Sequence, residues 1–170
     1  MANICNYKVK VKGKRNACYA FFGSMSVLDG KSIISETGTE DETIIIFEGD
    51  CKWSVDSYCN PFMGKKPVDL PDDADEALNL AEESYWYNTV QERSEMFQVE
   101  VWCNSGDPDC IDDILEEMGD IDLSEIDPDI LSPYMFEHYI NGEPVYDDCP
   151  DELSFTCCFE DDILCGKVIR

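Results

Sequence analysis

Residues 5–12 alternate cleanly. Tyr7, Val9 and Val11 point one way and Lys8, Lys10 and Lys12 the other, the period-two pattern of a strand with one buried face and one basic face. Gly13 ends that run. Residues 15–25 predict a short helix with Asn16 as N-cap and Ala17, Ala20, Phe21 and Met25 on its inner side. Residues 31–36 predict a weak strand, and the β-branched run at 43–48 a strong one, punctuated by Gly49 and Asp50. Cys51–Cys59 reads as a strand or a short amphipathic element, and Pro61 to Pro71 as a turn-rich connector.

Asp73, followed by Glu76, opens a helix running to about Ser84, with Leu70, Ala77, Leu78 and Ala81 facing inward. Residues 96–103 alternate again, with Phe97, Val99, Val101 and Cys103 on one face, and predict a strand. Asp107-Pro108 supplies an N-cap and a first-turn proline for a further helix. Ile111, Ile114, Leu115 and Met118 give it an apolar stripe, and Gly119 stops it. Asn141-Gly142 between Tyr134–Ile140 and Glu143–Asp148 is the preferred two-residue hairpin turn, and Pro144 marks the second arm as an edge strand. Strands at about 152–159 and 163–169 close the chain. Runs of strands with few helices define an α+β class: one domain over 1–170, a mainly antiparallel sheet with helices on one face.

Charge changes this picture most. The net charge is −26, but residues 1–66 carry nine Lys/Arg against eight Asp/Glu, and residues 67–170 carry three against thirty. The imbalance therefore begins abruptly after Lys66. Its densest part is Asp107, Asp109, Asp112, Asp113, Glu116, Glu117, Asp120, Asp122, Glu125, Asp127 and Asp129, with no basic residue between them. As a continuous helix the segment would span roughly 35 Å at about 1.5 Å per residue. Its charges would then recur every ~3 Å, close to the ~3.4 Å phosphate step of a nucleic-acid strand. The apolar stripe implies a docked, rigid segment, which lowers the entropy cost of binding. Such a chain repels nucleic acid and anionic membranes, so its expected partners are cationic. With 44% hydrophobic residues there is enough to bury a core.

The ten cysteines read mostly as reduced core residues of a cytoplasmic protein, because no signal peptide or membrane-length apolar run is visible. Their spacing does not pair as zinc ligands do, and the only histidine is His138. Loops counted from Asp107 or Asp120 place neither Gly at position 6 nor Glu at position 12, so no EF-hand is expected. No phosphate-binding glycine motif or nucleophile elbow is present, and His138 reads as an ordinary strand residue. The expectation is a non-enzymatic protein without metal or other cofactor.

Three segments carry a family resemblance. Met1–Tyr7 with Val9–Lys14, Gly49–Val55, and Val99-Glu100-Val101 with Phe136–Tyr139, Asn141-Gly142 and Asp148-Cys149 resemble ferredoxin-like proteins of unknown function from phages and plasmids, the YubB-like group. The resemblance implies a ferredoxin-like core, a mobile-element origin and no iron–sulfur cluster. Residues 105–133 have no counterpart in it and read as an acidic helical insertion. The resulting expectation is a counter-defence protein of the anti-CRISPR kind. Its eleven carboxylates at 107–129 would occupy the groove of a basic nucleic-acid-binding protein in the host cytoplasm, such as a Cas effector like Cas9. The alternative is a ferredoxin-like interaction module whose acidity is incidental, with Trp53, Trp86, Trp102 and Tyr134 as anchors.

Overall fold

The computed structural model describes residues 4–25, 27–52, 54–56, 68–84, 89–106 and 134–155. The alternating N-terminal run becomes β1 (Ile4–Gly13), which is central in the sheet. Cys5, Tyr7, Val9 and Val11 are buried on one side of it, and the lysines are half-buried on the other. β3 (Thr43–Lys52) and β4 (Glu100–Gly106) pair with its two edges, both antiparallel. β2 (Lys31–Gly38) lies outside β3; β5 (Tyr134–Ile140) and the two-residue β6 (Glu143–Pro144) extend the other side. The order is β2-β3-β1-β4-β5-β6, a six-stranded antiparallel sheet.

Three helices occur among the described residues, giving an α+β fold: α1 (Arg15–Ser24), α2 (Ala74–Ser84) and α3 (Val90–Phe97). They pack on the face that carries Tyr7, Val9 and Val11. Phe21 of α1, Ala77 and Ala81 of α2, and Val90 and Phe97 of α3 join Ile45, Phe47, Val101 and Cys103 in one core. Phe22 meets Phe47 edge-on with ring centroids 5.0 Å apart. The Lys31 ammonium donates to the carbonyls of Phe22, Gly23 and Met25 at 2.9–3.2 Å, which satisfies the otherwise open end of α1. No helix among the described residues is long and apolar enough to cross a membrane.

Several sequence expectations hold in detail. Asp73 Oδ1 accepts the Glu76 N–H at 3.0 Å in front of α2. Asn141 and Gly142 both have positive φ, 49° and 86°, as the hairpin turn requires. Other expectations need correction. The N-cap of α1 is Lys14, without a side-chain cap bond. Asn16 lies inside the helix and instead donates to the Pro71 carbonyl at 2.8 Å. β3 does not stop at Gly49-Asp50, because ladder pairing with Tyr7 and Asn6 on β1 carries the strand through to Lys52. The strand expected from 96 begins only at Glu100, since Phe97 is the last residue of α3. That helix escapes a hydrophobic-periodicity reading because two of its buried positions, Arg93 and Ser94, are polar. A 3-10 helix at Asp151–Leu153 replaces the start of the strand expected at 152–159. Ser154 and Phe155 after it are not in a strand either; residues 156–159, the strand expected at 163–169 and the helix from Asp107 lie outside the described residues.

Candidate functional site

The sheet face opposite the helices holds the most connected polar cluster of the described structure. Register builds it: Lys10 of β1 stands opposite Trp102 of β4, and Trp102 opposite His138 of β5. The Lys10 ammonium lies 4.8 Å from the centre of the Trp102 ring, a cation–π contact. Trp102 in turn stacks on the His138 imidazole at 4.6 Å and 22°. His138 is only 6% exposed. Its Nδ1 is 2.9 Å from both Asp147 carboxylate oxygens, and its Nε2 is 3.0 Å from Glu100 Oε1. The ring is thus held by both nitrogens and by one face. No hydroxyl or thiol among the described residues is hydrogen-bonded to it.

The C-terminal part of the described chain covers this face. Leu153 is fully buried against it, and Asn104 Nδ2 donates to the Leu153 carbonyl at 2.9 Å. Lys10 pairs with Glu152 at 2.7 Å, and the Lys8 ammonium donates to the Ser154 carbonyl at 3.0 Å. Phe155 stacks on Tyr134 with ring centroids 4.0 Å apart. The basic stripe read from Lys8 and Lys10 is therefore occupied by the protein's own chain. Beside it, a groove of about 600 Å³ opens between Asn6, Lys8, Ser32, Glu48 and Asp50, bounded by the Tyr134–Phe155 pair.

Other cations are also engaged. Arg15 pairs with Glu36 at 2.7 Å and with Glu40 at 3.6 Å, Lys12 with Glu42 at 3.5 Å, and Lys31 with Glu82 at 3.7 Å. The Tyr19 hydroxyl, with Arg15 beside it, holds the Glu36 carboxyl below the ordinary range. Burial does the opposite to Glu137, which faces the helices next to Cys103 and is pushed up despite the Tyr139 hydroxyl donating to it at 2.8 Å. Among the described residues carboxylates outnumber Lys and Arg three to one. Asp72, Asp73, Asp75, Glu76, Glu82 and Glu83 form an exposed acidic ridge along α2 and the turn before it.

All eleven carboxylates predicted as the partner-binding set, Asp107 to Asp129, lie outside the described residues. The described residues on either side of them, Gly106 and Tyr134, face each other in the β4–β5 ladder. Among the described residues no group of three or more His, Cys, Asp or Glu is placed to hold a metal ion. The predicted anchors Trp102 and Tyr134 are engaged internally, while Trp53 and Trp86 lie outside the described residues. The bracket around His138 escaped the sequence reading. Alternation places His138 on the outer face, but Glu100 and Asp147 reach it only through strand pairing and the fold-back after the hairpin. No protein-family model, curated protein or solved structure matches this chain.

Proposed function

We propose that the protein is a mobile-element-encoded, anti-CRISPR-like inhibitor that mimics nucleic acid and fills the basic groove of a nucleic-acid-binding effector, such as a Cas effector of the Cas9 kind. The observation that carries this reading is the segregation of charge: residues 67–170 hold thirty carboxylates against three cations. Lys10, Lys12, Arg15 and Lys31 each pair with a carboxylate of the chain itself and Lys8 donates to a backbone carbonyl, which supports it, because a cation already held in this way is less available to a phosphate. Lys and Arg side chains of a groove would exchange phosphate contacts for carboxylates at similar spacing. Strand order β2-β3-β1-β4, with α1 after β1 and helices before β4, supports a ferredoxin-like core to which β5 and β6 add an extension. The facing of Gly106 and Tyr134 supports an acidic insertion at about 105–133 between β4 and β5.

The test is capture of a partner by the tagged protein, with elution in a salt ladder. Binding should weaken steeply between about 0.1 and 0.5 M salt. It should also be lost when Asp107–Asp129 are changed to Asn and Gln. A complex indifferent to both changes refutes the mimicry.

A second reading, an interaction module acting through its sheet edge, is favoured by one feature. β2 is an exposed edge strand carrying Ile34 at 54% exposure, and Val27 and Leu28 just before it are also exposed. If Ile34→Lys abolishes capture while neutralising 107–129 does not, that reading replaces the first.

A further inference from the structure

Cys5 of β1 and Cys51 of β3 are direct partners in the antiparallel register. Opposed residues of such a pair project to the same face, with Cα atoms about 4.5–5.5 Å apart. That separation falls inside the range of about 4.4–6.8 Å that a disulfide spans. Cys18 and Cys103 are also buried, but Cys103 faces Val9 across the ladder, and Cys18 lies against the Val11 and Thr43 carbonyls. Among the described cysteines, only Cys5 and Cys51 stand opposite each other.

We infer that Cys5 and Cys51 form a dithiol site that reacts with low-molecular-weight disulfides and closes a cross-strand disulfide between β1 and β3. The surroundings assign the order of events. The neighbouring Cys51 thiol, with the Val55 and Gly106 backbones and the Ser105 side chain, holds the Cys5 thiol below its ordinary pKa against the effect of burial. The weak 3.8 Å contact with the Asn6 carbonyl is the alternative open to the protonated thiol. Cys51 is pushed the other way, by its Cys5 neighbour and by burial. Cys5 also follows directly on the exposed Ile4 at the strand end, so it is the sulfur an incoming disulfide reaches first and the attacking one, with Cys51 resolving.

In the first step the Cys5 thiolate attacks one sulfur of the small disulfide. That S–S bond breaks, and one small thiolate leaves and takes up the proton Cys5 lost. In the second step Cys51 attacks Cys5 of the mixed disulfide, and its proton goes to the second departing thiolate. Two protein thiols are oxidised and one small disulfide is reduced to two thiols. Both sulfurs are buried, at 2% and 1% exposure, so reaction follows opening of the strand end, where Ile4 is already 37% exposed.

The experiment equilibrates the native full-length protein in reduced and oxidised glutathione, traps free thiols with an alkylating agent under acid quench, and maps the peptides by mass spectrometry. The Cys5–Cys51 link should exceed every other cysteine pair by about tenfold or more, equivalent to ~30 mV between two-electron couples. Cys51→Ser should accumulate a stable glutathione adduct on Cys5, whereas Cys5→Ser should leave Cys51 unmodified. Recovery of Cys5 and Cys51 as free thiols while other cysteines oxidise overturns the inference, as does linkage of either to a different cysteine. Mapping of the unsubstituted protein decides the matter even if a variant fails to fold.

Discussion

Leu153→Ala tests whether the segment covering the outer sheet face is a separable unit. Leu153 is fully buried and is the main apolar anchor of that segment; its other ties include the Asn104 amide, the Lys10–Glu152 pair, the Lys8 bond to Ser154 and the stack of Phe155 on Tyr134. Truncating a buried Leu to Ala costs about 2–5 kcal/mol when the cavity persists, and less when the site can settle. A surface segment can settle, so the lower end applies, about 2–3 kcal/mol. The Lys10–Glu152 pair, exposed to 22% and 46%, adds only ~0.2–1 kcal/mol and cannot hold the segment down alone. At about 1.4 kcal/mol per decade, the loss corresponds to a roughly 30- to 150-fold fall in exchange protection. The assay is amide hydrogen exchange read at Leu153 and Ser154, whose N–H groups donate to Pro150 and Asp151. Amides of β1 serve as the internal reference and should keep their protection. Equal acceleration in β1 would show that the segment opens only with the whole core, and unchanged exchange at 153–154 would show that Leu153 does not anchor it.

Two further substitutions probe the helical face. Gly23→Ala would place a Cβ 2.4 Å from the Leu78 carbonyl oxygen of α2, a backbone atom that can move only if the helices part. Overpacking of about 1–3 kcal/mol should exceed the ~1 kcal/mol gained in helix propensity, so the thermal midpoint falls; Gly30→Ala, with nothing within 4 Å, should leave it unchanged. Glu137→Gln should stabilise at neutral pH. Burial raises the Glu137 pKa in the folded state, so the protonated form is favoured below the unfolded value and that contribution is lost as pH rises through the folded one. Urea midpoints should coincide for variant and parent near pH 4 and separate toward about pH 7. The exposed Glu143→Gln serves as the control for general relief of negative charge; equal gains from both substitutions would remove the special role of burial.

Local chemistry made some elements legible. The Val9-Lys10-Val11 alternation, the Asp73 cap and the Asn141-Gly142 turn act over a few residues, and each took the predicted form. The misses come from interactions that sequence separation hides. Gly49-Asp50 reads as a stop, yet two flanking strands hold it in the sheet. α3 buries Arg93 and Ser94, so its inner face does not look apolar; its Thr89 cap, which accepts the Glu92 N–H at 3.0 Å, was the available signal. The His138 bracket joins residues from three separated stretches, and nothing local to any one of them announces the other two.

The same long-range contacts bear on how the charge is to be read. From sequence alone Lys8, Lys10 and Lys12 look like a basic stripe that could meet an anionic partner. In the fold Lys10 lies between Glu152 and Trp102, Lys8 between a carbonyl and Phe155, and Lys12 beside Glu42. An incoming phosphate would have to compete with the Ser154 carbonyl for Lys8 and with Glu152 for Lys10. The stripe therefore docks the protein's own acidic C-terminal part, and the field left outside is that of carboxylates such as those along α2. Exposed carboxylates at this density attract a basic groove over roughly a Debye length, about 8–10 Å at moderate salt. Attraction of that kind sets the association rate more than the dissociation rate. Neutralising 107–129 should therefore slow capture of the proposed basic partner first, and a variant that binds at the parental rate but dissociates faster would place the acidic segment among ordinary contact residues instead.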